Sequence, residues 1–151
     1  YRFINGDPLS GSKVEYSNYI GFYNNCLSVI EEGNNYRMLG WLPFMYNSVP
    51  SLSKTSFSWL LSGAKKVNTN LNGEERAIVV TGEMEKYFPM DIFPMQLIKA
   101  CIRGDIEKME SLGIYEVVPE DFGLVDFSCT SKIEAQEIIK SGIQIMLKEV
   151  G

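Results

Sequence analysis

Histidine is absent from this chain. Its absence removes the commonest general base and the commonest zinc ligand together. Cysteine is scarce: Cys26, Cys101 and Cys129 lie far apart, and none belongs to a C-x-x-C pair. An odd, sparse count gives no disulfide framework and suits buried structural thiols in a reducing compartment. No apolar run approaches the ~20 residues that span a bilayer, and no signal peptide is visible. Positive charge is thin as well. With 14 basic and 19 acidic residues the formal net charge is -5, and Lys65-Lys66 is the one basic doublet. Nucleic-acid binders present a basic field, so that class is set aside. The doublet reads as a solvated loop rather than a lipid or phosphate patch. Gly-rich phosphate loops of either standard spacing are missing. A nucleophilic serine would need a lysine partner here, and the serines at 51–58 show no G-x-S-x-G elbow.

What is present fits one sizeable core or two small ones in 151 residues. The first half reads as β. Strands are expected at 1–4, 19–23, 26–30 and 36–41, separated by turn signals such as Asn5-Gly6-Asp7-Pro8. Asn24-Asn25 predicts a tight hairpin between the second and third of these, because Asn tolerates positive φ. Pro43 and Pro50 bracket a stretch that suits neither helix nor central strand. A further strand is expected over 74–82, centred on Ala77-Ile78-Val79-Val80. The opening Tyr1-Arg2-Phe3-Ile4, strand-like and without an initiator Met, reads as part of a longer protein.

The second half reads as helical. Asp91 is placed to cap a helix bearing Leu97, Ile98, Cys101 and Ile102 on one stripe, with Pro94 in its first turn and Gly104 at its end. Asp105 starts the next helix and Gly113 stops it. Pro119-Glu120-Asp121 opens a short third helix. Ser131-Lys132-Ile133-Glu134 has the capping-box spacing, which predicts a last helix over 132–149.

One pattern crosses these elements. In bacterial-type ferredoxins a C-x2-C-x2-C-x3-C-P run holds iron–sulfur clusters. Phe88-Pro89 occupies the Cys-Pro place here, and the upstream ligand places fall on Ile78, Thr81 and Met84. A second echo ends at Cys129, with its upstream places on Pro119, Phe122 and Val125. Only Cys129 among the eight places is a cysteine. Thiolates hold such clusters, and Ile, Phe and Val do not.

The runs Gly82-Glu83-Met84-Glu85-Lys86-Tyr87-Phe88-Pro89-Met90-Asp91-Ile92, Gly113-Ile114-Tyr115-Glu116 and Pro119-Glu120-Asp121-Phe122 together carry a family resemblance. So do Asn70-Leu71-Asn72-Gly73-Glu74-Glu75-Arg76-Ala77, Gly40-Trp41 and Gly21-Phe22-Tyr23. Over nearly the whole chain they resemble the C-terminal part of the A-subunit of the sodium-translocating NADH:quinone oxidoreductase. Many members of that family carry Cys-Pro-Gly-Lys where this chain has Cys129-Thr130-Ser131-Lys132, and a further cysteine where it has Val125. Those departures weaken the argument for a functional Cys129 and leave the resemblance intact.

The resemblance implies an α+β protein. A β-rich part at 1–87 would be the tail of a β-grasp, SLBB-like module with returning strands. A helical part at 88–151 would be a degenerate ferredoxin-like module without clusters. It also implies a peripheral, cofactor-free subunit on the cytoplasmic face of a bacterial inner membrane. That subunit would serve assembly and docking on a membrane-embedded subunit, with quinone contact as the lesser possibility. NAD, flavins, iron centres and ubiquinone would sit elsewhere in this oxidoreductase and sodium-transport translocase. No catalytic, cofactor-binding or metal residue is expected in this stretch, and no nucleic acid. Two rivals stay open: a free-standing small-ligand module of β-grasp form, and a working iron–sulfur carrier.

Carboxylate pairs Glu83/Glu85 and Glu74/Glu75 are candidates for acid–base chemistry, but nothing places either in an apolar cleft. Solvated turns and helix starts account for them. The aromatic-rich run from Trp41 to Leu61 is core or a docking surface. The candidate partner-docking residues are Trp41, Phe44, Tyr46 and Trp59.

Overall fold

A computed structural model describes residues 1–33, 38 and 67–150. It is α+β: a three-stranded antiparallel sheet precedes four helices among the described residues. The chain divides into two compact units, Tyr1–Glu74 and Glu75–Gly151. Residues 75–87, grouped with the strands on sequence, lie in the second unit, where Met84 joins Phe88 in one core.

In the first unit β1 (Arg2–Asn5) is central, with β2 (Ser12–Val14) and β3 (Leu27–Ile30) antiparallel on either side. Phe3 faces Val14 on one side and Val29 on the other. The expected turn at Asn5-Gly6-Asp7-Pro8 is built by Asp7. Its carboxylate accepts the N–H groups of Leu9 at 2.8 Å and Ser10 at 3.0 Å, and its carbonyl accepts that of Gly11 at 2.9 Å. Such Asx closure is why Asp favours turns. The hairpin expected through Asn24-Asn25 does not form. Residues 19–23 are irregular, and Asn24 donates to Gly21 O at 3.0 Å instead. Neither Asn takes a positive φ, which the tight hairpin turn requires, and β3 pairs with β1. The strand expected at 36–41 lies outside the described residues except for Met38, which is in a turn.

The second unit holds the larger core. Helix α1 (Pro94–Arg103) buries Met95, Leu97, Ile98, Ala100 and Cys101. Full burial of a side chain such as Leu97 or Ile98 is worth about 1.5–3 kcal/mol. Pro94 stands at its first position, where a missing N–H costs nothing. The N-cap is Phe93, not Asp91: the proline sets the start two residues later than the acid would. Gly104 ends the helix with φ 65, a backbone state glycine adopts freely. Asp105 caps α2 (Ile106–Ser111) by accepting the Lys108 N–H at 3.2 Å. A 3-10 turn, Ile114–Glu116, leads to a second, Pro119–Phe122, where Asp121 reaches back to the Val118 N–H at 2.9 Å. That turn runs into α3 (Gly123–Ser128) and then into α4 (Ala135–Glu149).

Two expectations fail here for physical reasons. The apolar run at 74–82 forms no strand. Val79 and Val80 are exposed, and single ties replace a ladder: Arg76 N–H donates to Ser131 O at 2.8 Å and Ser131 Oγ to Ala77 O at 3.2 Å. The Ser131 capping box is absent too. Lys132 takes φ 54, a left-handed state that breaks a helix started at 132. Helix α4 begins at Ala135 and is capped from α3: Asp126 accepts the N–H groups of Ala135 at 2.5 Å and Gln136 at 3.3 Å.

Candidate functional site

Five of the eight positions picked out by the ferredoxin spacing meet in two groups within the second unit. In two-cluster ferredoxins the fourth cysteine of each run serves the other run's cluster. Here Phe88, last place of the first run, lies against Phe122 of the second, with ring centroids 4.7 Å apart and planes tilted by 45°. Phe122 and Val125 are fully buried. Reciprocally, Cys129, last place of the second run, shares a small cavity with Thr81 and Met84 of the first. That cavity is about 10 Å³ and is completed by Val79 and Met95. Such a volume is of the order needed for one water molecule, and its neighbours include polar Ser128 and Ser131. Thr130 Oγ1 donates to Glu83 Oε2 at 2.8 Å beside it.

The donor set at these places is poor in soft atoms. One thiol and one thioether, Cys129 and Met84, face a hydroxyl, Thr81, and hydrocarbon. A cluster or structural metal takes several thiolates. Among the described residues no group of three or more Cys, Asp or Glu is arranged to hold a metal ion.

The cysteines divide in two. Cys101 and Cys129 are buried, whereas Cys26, expected to be buried, is exposed. The reason is position: Cys26 precedes β3, its carbonyl accepts the Gly6 N–H at 3.0 Å, and its thiol stands 4.0 Å from Ser28 Oγ. Burial pushes the Cys101 thiol up to about 11, so the nucleophilic thiolate is scarce at neutral pH. Glu83 lines the small cavity and accepts from Thr130, while Glu74, Glu75 and Glu85 are exposed, so neither carboxylate pair is brought together in an apolar cleft. Trp41, Phe44, Tyr46 and Trp59 lie outside the described residues.

Sequence reasoning missed Asp126. Burial raises its carboxyl above the usual range, against the pull of the Gln136 amide at 2.9 Å and the two helix N–H groups. No local spacing points to a cap supplied from nine residues upstream. It also missed an apolar groove of about 420 Å³, walled on one side by Tyr115 and Val118 and on the other by Ile143, Leu147 and Val150. The i, i+4, i+7 spacing of that second wall was the available signal. None of the described helices is long and apolar enough to cross a membrane.

No family model matches the chain. Individual relatives do. The chain is 35% identical over 153 residues to a Neisseria meningitidis serogroup C protein named as the A-subunit of Na(+)-translocating NADH-quinone reductase. Proteins of the same name from Pasteurella multocida and Rhodopirellula baltica are 35% identical over 154 residues and 33% identical over 155. Each match covers 98% of this chain and 33% of the relative, so the chain spans about a third of the length of these relatives.

Proposed function

From its membership of the A-subunit family of Na(+)-translocating NADH-quinone reductase, to which it belongs along 98% of its length, we propose that this chain is a cofactor-free, scaffolding part of such a subunit. On this reading it corresponds to the C-terminal part of the relatives. It docks the subunit on its partners in the complex, including a membrane-embedded one, at the cytoplasmic face of the bacterial membrane. Substrate oxidation, sodium movement and quinone reduction belong to the complex, and no residue of this stretch carries them.

The observation that carries the reading is the crossed packing of Phe88 on Phe122 with Cys129 beside Thr81 and Met84. It is the juxtaposition that a ferredoxin-like frame produces, with hydrocarbon in place of thiolate. We therefore assign the second unit to a degenerate ferredoxin-like module; the first is assigned to the tail of a β-grasp module on the family resemblance alone. A frame in which two of the eight places hold packed aromatic rings and only one holds a thiol is suited to rigidity rather than to electron transfer.

The test is elemental analysis of the whole subunit made under anaerobic, iron-replete conditions, with co-purification of the other subunits from the same cells. Well under one iron per chain together with co-purification supports the reading. Stoichiometric iron, or a subunit that never co-purifies, removes it. Quinone contact is a second reading, supported by the quinone in the relatives' names; labelling of this stretch by a photoreactive quinone would establish it.

A further inference from the structure

The chain holds two Asn-Gly pairs, Asn5-Gly6 and Asn72-Gly73. Asn-Gly is the dipeptide most prone to intramolecular deamidation. The backbone nitrogen after Asn attacks the side-chain carbonyl, and glycine puts no Cβ beside that nitrogen. A folded chain holds the reaction back in two ways. A hydrogen bond occupies the nitrogen, or a fixed backbone keeps it from closing the ring.

The two pairs differ in both respects. Asn5 is the last residue of β1 and pairs with Ser12 on one side and Leu27 on the other. Its amide packs against Gly21, where an added Cβ would stand 2.9 Å from Nδ2, and its Oδ1 is buried. The Gly6 N–H donates to Cys26 O at 3.0 Å. Asn72 and Gly73 are exposed and belong to no helix or strand. Asn72 takes φ 51, a left-handed state that Asn tolerates better than most residues. Its amide donates to Asn70 O at 3.2 Å, a local tie. Among the described residues nothing accepts the Gly73 N–H.

We infer that Asn72-Gly73 is a site of spontaneous covalent modification in the folded chain, whereas Asn5-Gly6 is protected. The Gly73 nitrogen gives up its proton and bonds to Asn72 Cγ. The Cγ–Nδ2 bond breaks, and ammonia leaves with that proton. Water then opens the succinimide ring. Attack at the side-chain carbonyl gives aspartate. Attack at the main-chain carbonyl gives isoaspartate, with the backbone running through Cβ. Nothing is oxidised or reduced: an amide and water become a carboxylate and ammonium. The ionised product has no donor for Asn70 O, so the tie between 70 and 72 is lost. It also sets a negative charge just before Glu74 and Glu75, where like charges repel.

The test incubates the full subunit in its native state at mildly alkaline pH, beside a sample unfolded in guanidinium. Tryptic peptides 3–13 and 67–76 separate the two pairs, and fragment spectra place the change within each. Methyl transfer from S-adenosylmethionine by an isoaspartyl methyltransferase scores the isoaspartyl product. In the native sample Asn72 should convert at least about tenfold faster than Asn5, and in guanidinium the two rates should converge as the sheet's protection is lost. Gly73→Ala should slow conversion of Asn72 by about tenfold, because a Cβ then crowds the attacking nitrogen. Gly73 does not take a positive φ, so alanine is tolerated there. If that variant fails to fold, the same slowing read in guanidinium carries the test. Equal native rates, or a faster rate at Asn5, overturn the inference. So does conversion at Asn72 that ignores Gly73→Ala, or that gives aspartate without isoaspartate, since direct hydrolysis would then account for it. Asn68 and Asn70 share the second peptide but precede Thr69 and Leu71. They should stay unconverted while Asn72 reacts, and conversion of either ahead of Asn72 overturns the inference as well.

Discussion

Asp126 joins two elements through one side chain. Its carboxylate takes the first free N–H groups of α4 while standing on α3, so it does the work that a local cap does in most helices. Asp126→Ala should therefore cost about 1–2 kcal/mol in denaturant titration. Ser131→Ala, expected on sequence to weaken the same helix, should leave α4 nearly as stable, since Ser131 bonds Ala77 O rather than the helix. A larger loss for Ser131→Ala than for Asp126→Ala would reverse this assignment. The Asp126 carboxyl is raised by burial. Between its ordinary value and its native value the folded chain holds more proton than the unfolded one, so this group's stabilisation is complete at low pH and falls as pH rises through that window. Asp126→Asn should flatten that part of the stability–pH curve, and an unchanged slope would show that the group does not titrate there. At the same scale, the three thiols should react in order of exposure. A thiol reagent at neutral pH should label Cys26 alone in the folded chain, with Cys101 and Cys129 joining only on denaturation. Native labelling of Cys101, read by mass spectrometry of tryptic peptides, would contradict its placement.

Elements are legible in the sequence where their cause is local. The stripe through Leu97, Ile98 and Cys101, the stop at Gly104 and the cap at Asp105 all act within a few residues and are present where the sequence places them, whereas Ile102, expected on the same stripe, is exposed. The run Ala77-Ile78-Val79-Val80 misleads because β-branched residues advertise a strand without naming a partner. Its backbone finds Ser131, 55 residues from Arg76, and no ladder. The ferredoxin spacing marks the eight site positions along the chain, but only the fold shows that Phe88 meets Phe122 and that Cys129 lies beside Met84. Helix contact supplies a prediction that sequence could not. A Cβ at Gly142 of α4 would stand 2.5 Å from Cys101 Sγ and 3.4 Å from Met109 Sδ. Alanine there gains about 1 kcal/mol of helix propensity and meets an overpacking cost of about 1–3 kcal/mol, so Gly142→Ala should be neutral to destabilising. Cys101→Ala alone should cost about 1 kcal/mol. Together the two should be better than their sum by about 1 kcal/mol, because the alanine methyl takes the space the sulfur leaves. A strictly additive double-mutant cycle would mean that α1 and α4 do not meet at Gly142.

At the scale of the whole chain, the question is what holds the second unit together where a cluster-binding ferredoxin would use iron and sulfide. A bound metal contributes to folding by mass action, so a metalloprotein loses stability to a chelator. In this chain the crossing point of the two runs is occupied by the Phe88–Phe122 pair, inside a core that also takes Met84, Val125 and Cys129. Hydrocarbon contact needs no ion, and it stabilises through buried area and ring geometry. Phe88→Ala and Phe122→Ala should each cost about 3–5 kcal/mol. Their double variant should fall short of additivity by about 0.5–1.5 kcal/mol, the part owed to the rings meeting each other. Over the same titrations a strong chelator should leave the midpoint of the unaltered chain where it was, and anaerobic iron with sulfide should not raise it. Additive phenylalanine effects would mean that the two runs are held together elsewhere. A midpoint lowered by chelation would favour the rival iron–sulfur carrier, because stability would then depend on a bound metal.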